Sequence, residues 1–216
     1  TASMPGFYPK SELELVGFGV GVVERDKVID GSTIAHGDVL IGLASGGLHS
    51  NGFALARSIV DAGVAAGKFD LREAPPELNQ SLAAALLAPT RIYVKPILNL
   101  LRDFEIHGMV HITGGGFEGN VPRILPKGVC ARIDPTAWPR PRIFEFLARH
   151  GEIAEEEMRR VFNCGIGMVL AVHRDQADDV IQRLEGMSER AYRIGVIEQQ
   201  PEGGAPLVFE APGEAT

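Results

Sequence analysis

An apolar run that breaks into a glycine-rich turn and then into a helix sets the strongest limit on the fold of this chain. Residues 39–43 are all apolar or glycine, which predicts a buried strand. The turn reads Ser-Gly-Gly-Leu-His-Ser-Asn-Gly over residues 45–52, and a helical pattern follows over residues 53–66. The segment therefore predicts a strand, a tight loop and the beginning of a helix in immediate succession.

This turn has the properties of an anion-binding loop. Gly46 and Gly47 allow a ligand to approach the backbone closely, and Ser50 or Asn51 can cap the helix that begins near Gly52. The first N–H groups of a helix lack internal partners, and the helix dipole is positive at that end. The turn therefore predicts a binding site for an anion, of which phosphate is the obvious example.

Composition sets limits on the class of protein. The 216 residues are 45% hydrophobic and 23% charged, as in an ordinary globular protein with one large domain or one domain plus part of another. The net charge of −7 and the lack of a basic stripe argue against nucleic acid as a partner, and no apolar run approaches the length of a membrane span.

Cys130 and Cys164 indicate free, buried thiols and a cytoplasmic location. Because Thr1 is not an initiator Met, we expect a piece of a longer protein.

Helices and strands recur along the whole chain. Apolar periodicity predicts helices over residues 53–66, 78–87, 92–102, 120–125, 141–149, 155–162 and 176–184. It predicts strands over residues 13–24, 39–43, 106–113, 129–133, 165–172, 192–198 and 206–210.

A second glycine cluster leaves several interpretations open. Gly114, Gly116 and Gly119 match the dinucleotide-binding pattern, and Asp134 lies where a ribose-binding acid belongs. The predicted helix after the cluster is too short for a nucleotide-binding crossover, which weakens this interpretation. The spacing also resembles a P-loop, but Asn120 stands where that motif requires lysine. A tight turn without a ligand is the remaining alternative.

Histidine and cysteine side chains offer further candidate chemistry. His107 and His111 are four residues apart, which on the predicted strand is about 13 Å and too far for one metal ion. His49 lies in the first turn, where it can donate to a phosphate, act as a general acid or simply stabilise the loop. Cys164 is expected to be a small core residue, with a nucleophile as the less favoured alternative, and Asn163 beside it is the more interesting polar group.

Five segments of the chain resemble one enzyme family. The first reads Thr-Ala-Ser-Met-Pro-Gly-Phe-Tyr at residues 1–8, and the others are residues 45–55, 87–95, 112–123 and 162–168. In this order they resemble aminoimidazole ribonucleotide synthetase, or phosphoribosylformylglycinamidine cyclo-ligase, of purine biosynthesis. The resemblance extends over nearly the whole chain, to about residue 210.

The resemblance implies an activity and a fold. It implies a homodimeric enzyme that uses ATP and Mg²⁺ to activate a formyl amide oxygen of formylglycinamidine ribonucleotide, after which an internal nitrogen closes the imidazole ring. We therefore predict an α+β fold, a mixed β-sheet with packed helices. The family's N-terminal Asp-Gly-Val-Gly-Thr-Lys segment has no counterpart in the chain. Residues 1–25 are thus expected to be a remnant of the N-terminal ATP-binding domain with its last strand, residues 26–210 the C-terminal domain, and residues 211–216 a disordered tail.

The resemblance and the two glycine loops together give a set of candidate site residues. His49 and Asn51 are the candidate catalytic residues, and no metal ligand is expected in this chain because the Mg²⁺ ligands should lie mainly in the missing domain. The candidates for binding substrate or phosphate are Gly46, Gly47, Ser50, Thr113, Gly114, Gly115, Gly116, Asn120 and Asn163. Two departures limit what the resemblance implies, because Ser3 replaces a family glutamate and Gly119 stands where glutamate is frequent.

Other functions remain alternatives to the cyclo-ligase. ATP-dependent relatives of the same superfamily are the nearest, namely thiamine-phosphate kinase, selenophosphate synthetase, a hydrogenase maturation protein and formylglycinamidine ribonucleotide synthetase. A dinucleotide-dependent oxidoreductase and a non-catalytic assembly fragment belong to different classes. The chain by itself is expected to be inactive.

Overall fold

A computed structural model describes residues 17–210 as a six-stranded sheet with helices on both faces. The strand order is β2-β4-β1-β5-β3-β6. Neighbouring strands are antiparallel, except that β3 and β6 are parallel. The strands are β1 (Val39–Ala44), β2 (Ile106–His111), β3 (Val129–Ile133), β4 (Ile166–Val172), β5 (Ala191–Gln199) and β6 (Leu207–Phe209). The predicted α+β fold with a mixed sheet is confirmed.

The sheet is covered on both faces because successive residues of its inner strands point into different cores. Leu40 belongs to one hydrophobic cluster, and Ile41 and Leu43 belong to the other. All six residues of β1 are buried, which explains why the sequence shows a continuous apolar run there and not an alternating pattern.

The helices divide between the two faces. The first cluster includes apolar side chains of α1, α2, α5 and α6, and the second includes those of α3 and α7. The seven helices of the described residues are α1 (Phe53–Ala65), α2 (Leu82–Leu86), α3 (Val94–Leu100), α4 (Gly116–Asn120), α5 (Arg142–Gly151), α6 (Glu155–Val161) and α7 (Ala177–Gly186). None of the helices within residues 17–210 is long and apolar enough to cross a bilayer.

Three predicted elements differ from the structure. The helix predicted over residues 78–87 covers only Leu82–Leu86. The strand predicted over residues 13–24 is not formed in its described part, because residues 17–24 have no strand partner there and leave Phe18 and Val22 exposed. The helix predicted over residues 120–125 instead begins at Gly116, and a 3₁₀ segment (Val121–Ile124) containing Pro122 follows it. Residues 13–16 and the tail over residues 211–216 lie outside the described residues.

Candidate functional site

The first glycine loop joins the central strand β1 to helix α1. The residue before the helix is Gly52, whose φ of 76° is left-handed, and no side chain caps the helix. The predicted cap by Ser50 or Asn51 is therefore wrong, since a glycine occupies the cap position and Ser50 Oγ lies 3.2 Å from Thr90 Oγ1 instead. A Cβ on Gly52 would lie 2.3 Å from Phe162 Cε1, so the close packing at this turn requires glycine.

His49 is folded into this loop and is only 4% exposed. Its Nε2 accepts hydrogen bonds from the backbone N–H groups of Gly46 (3.0 Å) and Arg91 (3.4 Å). Burial, with smaller effects of His111 and Arg91, lowers the pKa of His49 to about 4. The imidazole is therefore neutral at pH 7 with its hydrogen on Nδ1, which has no partner among the described residues. This state favours a loop-stabilising role over that of a general acid.

Asn163 ties the first loop to the beginning of β4. The side chain is 1% exposed, and its Nδ2 donates to the Gly47 carbonyl at 2.8 Å. Its Oδ1 accepts from the Gly165 N–H at 2.8 Å and from Ser45 Oγ at 2.9 Å. The polar groups of Asn163 are thus directed at the protein, and the side chain is not available at the surface.

The second glycine loop follows β2 and is held in a similar way. Asn120, at the end of α4, is 2% exposed. Its Nδ2 lies 2.7 Å from the Gly116 carbonyl and 3.3 Å from those of Thr113 and Gly114, while its Oδ1 accepts from Thr113 Oγ1 at 3.1 Å. Asn120 therefore binds the loop carbonyls, and the Thr113 hydroxyl binds Asn120.

The structure of this loop excludes a dinucleotide-binding unit. A Rossmann-type fingerprint needs two adjacent parallel strands joined by a crossover helix. Here β2 and β3 are separated by three strands in the sheet, and α4 has only five residues. A Cβ on Gly116 would lie 1.9 Å from the Arg159 carbonyl oxygen, so this glycine serves close backbone packing.

Four of the five segments that carry the family resemblance meet at one place. A Cβ on Gly114 would lie 3.7 Å from Asn51 Oδ1, which brings the two glycine loops together. A Cβ on Gly46 would lie 2.9 Å from the Pro89 carbonyl oxygen, and Asn163 binds Gly47. Residues 45–55, 87–95, 112–123 and 162–168 are thus in contact, and residues 1–8 lie outside the described part of the chain.

Several backbone donors at this meeting point have no protein acceptor. Within residues 17–210, this holds for the N–H groups at the first turn of α1 and for several in the two loops. They include those of Phe53, Ala54 and Leu55 in the helix and of Gly47, Leu48, Gly114 and Gly115 in the loops. Free amides at a helix N-terminus suit a phosphate or another anion.

Tyr93 and Ser45 are site neighbours that sequence reasoning missed. Tyr93 donates its hydroxyl to the Ala44 carbonyl at 2.8 Å, and its ring lies 6.2 Å from that of His49. Burial raises the pKa of Tyr93, so the phenol stays neutral. Both residues lie within segments of the family resemblance, which is the signal that could have identified them.

The remaining candidates for chemistry are two histidines of β2 and a cysteine. His107 and His111 lie on β2 as predicted, and His107 Nδ1 lies 2.7 Å from Asp38 Oδ2. Cys164 is buried, and burial raises its pKa to about 12, which leaves an inert thiol. Among residues 17–210 no group of three or more His, Cys, Asp or Glu side chains could hold a metal ion.

Known proteins resemble this chain in sequence and in fold. The phosphoribosylformylglycinamidine cyclo-ligase of Geotalea daltonii is 55% identical over 197 residues, which cover 91% of this chain and 56% of that protein. Thiamine-monophosphate kinase from Stenotrophomonas maltophilia has a similar fold, with a TM-score of 0.58 and 23% identity over 90% of this chain and 56% of the kinase. A hydrogenase maturation protein, HypE, in complex with ATP has a TM-score of 0.56 and 15% identity over 88% of this chain and 52% of its own.

These comparisons identify the family. The chain spans a little over half the length of the curated relatives it matches, 56–58% in the most similar ones. A family model described as AIR synthase related protein, C-terminal domain, matches residues 35–207. That stretch contains both glycine loops, strands β1 to β5 and the first residue of β6. The chain therefore belongs to the AIR synthase related proteins, and it carries their C-terminal domain.

Proposed function

We propose that this chain supplies the C-terminal half of an ATP-dependent cyclo-ligase, which converts formylglycinamidine ribonucleotide to aminoimidazole ribonucleotide. The observation that carries the proposal is the contact between the two glycine loops, where Gly114 approaches Asn51. Relatives at 49–55% identity carry the cyclo-ligase name, which supports this activity over that of the other superfamily members.

The proposed chemistry is binding and positioning by neutral groups. Free amides of the loops and of the first turn of α1 bind phosphate oxygens, from ATP or from the ribonucleotide, and Ser50 and Asn51 add polar side chains at the same edge. Such groups stabilise negative charge without titrating near neutral pH. The loops thereby orient a reaction in which ATP phosphorylates the formyl amide oxygen and releases ADP. An internal nitrogen of the ribonucleotide then attacks the activated carbon, and the C–O bond breaks as phosphate leaves.

The partners of the whole enzyme follow from the same proposal. ATP is the proposed co-substrate, in keeping with the ATP complex of the similarly folded HypE. We place the Mg²⁺ ligands mainly in the N-terminal domain, as the family resemblance implies. We also propose a homodimer and a cytoplasmic location, as the family resemblance implies.

Turnover tests the proposal directly. The chain is joined to the N-terminal region of the Geotalea daltonii relative, and formation of ADP and of aminoimidazole ribonucleotide is measured. We expect Asn51→Asp to lower kcat/KM at least tenfold, because a carboxylate repels phosphate at the loop contact. Asn79→Asp, an exposed site next to Arg142, is the matched control and should keep full activity. ADP formation with thiamine monophosphate in place of formylglycinamidine ribonucleotide would contradict the assignment.

A further inference from the structure

Each glycine loop is bound by one buried asparagine from a neighbouring part of the chain, whose amide group binds loop carbonyls. Asn163 Nδ2 donates to the Gly47 carbonyl, and Asn120 Nδ2 lies within 3.3 Å of the carbonyls of Thr113, Gly114 and Gly116. Both side chains are at most 2% exposed. Neither is therefore placed to contact a ligand directly, although both lie at the loops to which a ligand is proposed to bind.

The two asparagines change the polarity of the loops. A peptide loop offers carbonyl oxygens, which repel anions, as well as N–H groups, which attract them. In these loops the asparagines occupy the carbonyls of Gly47, Gly114 and Gly116. The N–H groups of Gly47, Gly114 and Gly115 stay without an acceptor in the described part of the chain. At Gly47 and Gly114 the carbonyl is thus occupied while the N–H group stays free, so each of these two glycines offers a donor and no free acceptor.

One hydroxyl group orients each asparagine. An asparagine side chain can be rotated to exchange its oxygen and nitrogen, which here would turn an acceptor towards the carbonyls. Ser45 Oγ lies 2.9 Å from Asn163 Oδ1 and 3.0 Å from the Gly47 carbonyl oxygen, and Thr113 Oγ1 donates to Asn120 Oδ1 at 3.1 Å. The Gly165 N–H also donates to Asn163 Oδ1, at 2.8 Å. These donors hold the oxygen of each amide away from the loop carbonyls.

We infer that Asn163 and Asn120 are positioning residues that bind the loop carbonyls and so present the loop amides to an anionic ligand. The inference rests on the proposed function, and it assigns both asparagines a role behind the binding surface. It distinguishes them from Ser50 and Asn51, which are proposed to touch the ligand. Aspartate has the same shape but lacks the donor, so it should place a carboxylate against the same carbonyls and reverse the polarity of the loop.

The test compares four variants of the 216-residue chain, Asn163→Asp, Asn120→Asp, Ser45→Ala and Thr113→Val. Affinity for ATP and for inorganic phosphate is measured by ¹⁵N–¹H NMR titration, and loop order by amide hydrogen exchange. We expect the two aspartate variants to bind at least tenfold more weakly. The two hydroxyl deletions should bind about threefold to tenfold more weakly, with faster exchange of the loop amides. The control is Thr33→Val, whose hydroxyl group binds a carbonyl outside both loops and outside α1.

The outcomes separate this inference from the proposed function. A purely structural role would lower the melting temperature and leave the affinity of the folded chain unchanged, whereas a positioning role weakens binding in folded variants. If an aspartate variant does not fold, the hydroxyl deletions decide the question. Unchanged affinity and exchange in folded variants overturns the positioning role alone. A wild-type chain whose loop amides respond to neither ATP nor phosphate overturns the proposed function and this role with it.

Discussion

Single glycines determine how closely the second loop can pack on its neighbours. Gly116 has a left-handed φ of 56°, and a Cβ there would lie 1.9 Å from the Arg159 carbonyl oxygen. We expect Gly116→Ala to lower the free energy of unfolding by about 3 kcal/mol or more, because backbone atoms must move as well as the dihedral angle. Chemical denaturation measures this change.

Gly67→Ala is the matched control for that substitution. Gly67 also has a left-handed φ, 66°, but nothing lies within 4 Å of its Cβ position. Gly67→Ala should therefore lower the free energy of unfolding only by the backbone strain, about 1–2 kcal/mol. Equal losses in the two variants would show that contact with Arg159 contributes nothing.

His49 should make stability depend on pH. Its pKa falls from 6.5 in the unfolded chain to about 4 in the folded one, so the unfolded state binds a proton first as pH falls. Above pH 6.5 His49 is neutral in both states and the free energy of unfolding has its full value. Between pH 6.5 and pH 4 the free energy of unfolding falls by roughly 3 kcal/mol in total. His49→Gln keeps an acceptor but does not titrate, so its stability should fall less over this interval.

Urea denaturation at pH 7, 5.5 and 4.5 measures this difference. Other groups also titrate in that interval, so the quantity of interest is wild type minus variant at each pH. Identical pH dependence in the two proteins would mean that His49 is protonated as readily in the folded chain as in the unfolded one.

Among the secondary-structure elements, helix α2 shows that the contribution of a leucine to stability depends on how deeply its side chain is buried. Leu82 is completely buried at the start of the helix, while Leu87 at its end is 78% exposed. Leu82→Ala should lower the free energy of unfolding by about 2–5 kcal/mol, and Leu87→Ala should change it by no more than about 0.5 kcal/mol. Thermal or chemical denaturation of the pair checks this, and a similar loss in both would contradict the described packing of α2.

The sequence predicts the strands and the longer helices well because apolar periodicity reports burial directly. Strands β1, β3 and β4 lie within one residue of the predicted limits. The helix caps are less predictable, since Gly52 and Gly115 precede α1 and α4 in left-handed conformations that need no side-chain cap. The strand predicted over residues 13–24 is a further example, because an alternating apolar pattern does not show whether a neighbouring strand is there to pair with it.

At the scale of the whole molecule, the sequence predicts which segments form the site but not what each residue does there. Loop composition and family resemblance together identify Gly46, Gly114 and Asn51, which meet in the structure. The contacts of Asn163 with Ser45 and of His49 with Arg91 join residues that are far apart in sequence, so no local pattern reveals them. Their roles depend on the fold, and the candidate site residues stay predictions until ligand binding is measured.

Ligand binding should stabilise the chain as a whole. If ATP or phosphate binds the loop amides of the folded state, stability rises as RT ln(1 + [L]/Kd), or about 2.7 kcal/mol at a hundredfold excess over Kd. The melting temperature should therefore rise with the logarithm of ligand concentration, while NADH at the same concentration should have no effect. A rise with NADH alone would revive the oxidoreductase alternative.

The position of β1 in the sheet has a consequence for how the protein is made. This strand pairs with β4 and β5, whose residues lie between Ile166 and Gln199. During synthesis on the ribosome, the strongly apolar β1 stays unpaired until nearly all of the domain has been made. The first loop acquires its native shape only at that late stage, so a chain interrupted before β4 exposes an aggregation-prone strand in place of a ligand site.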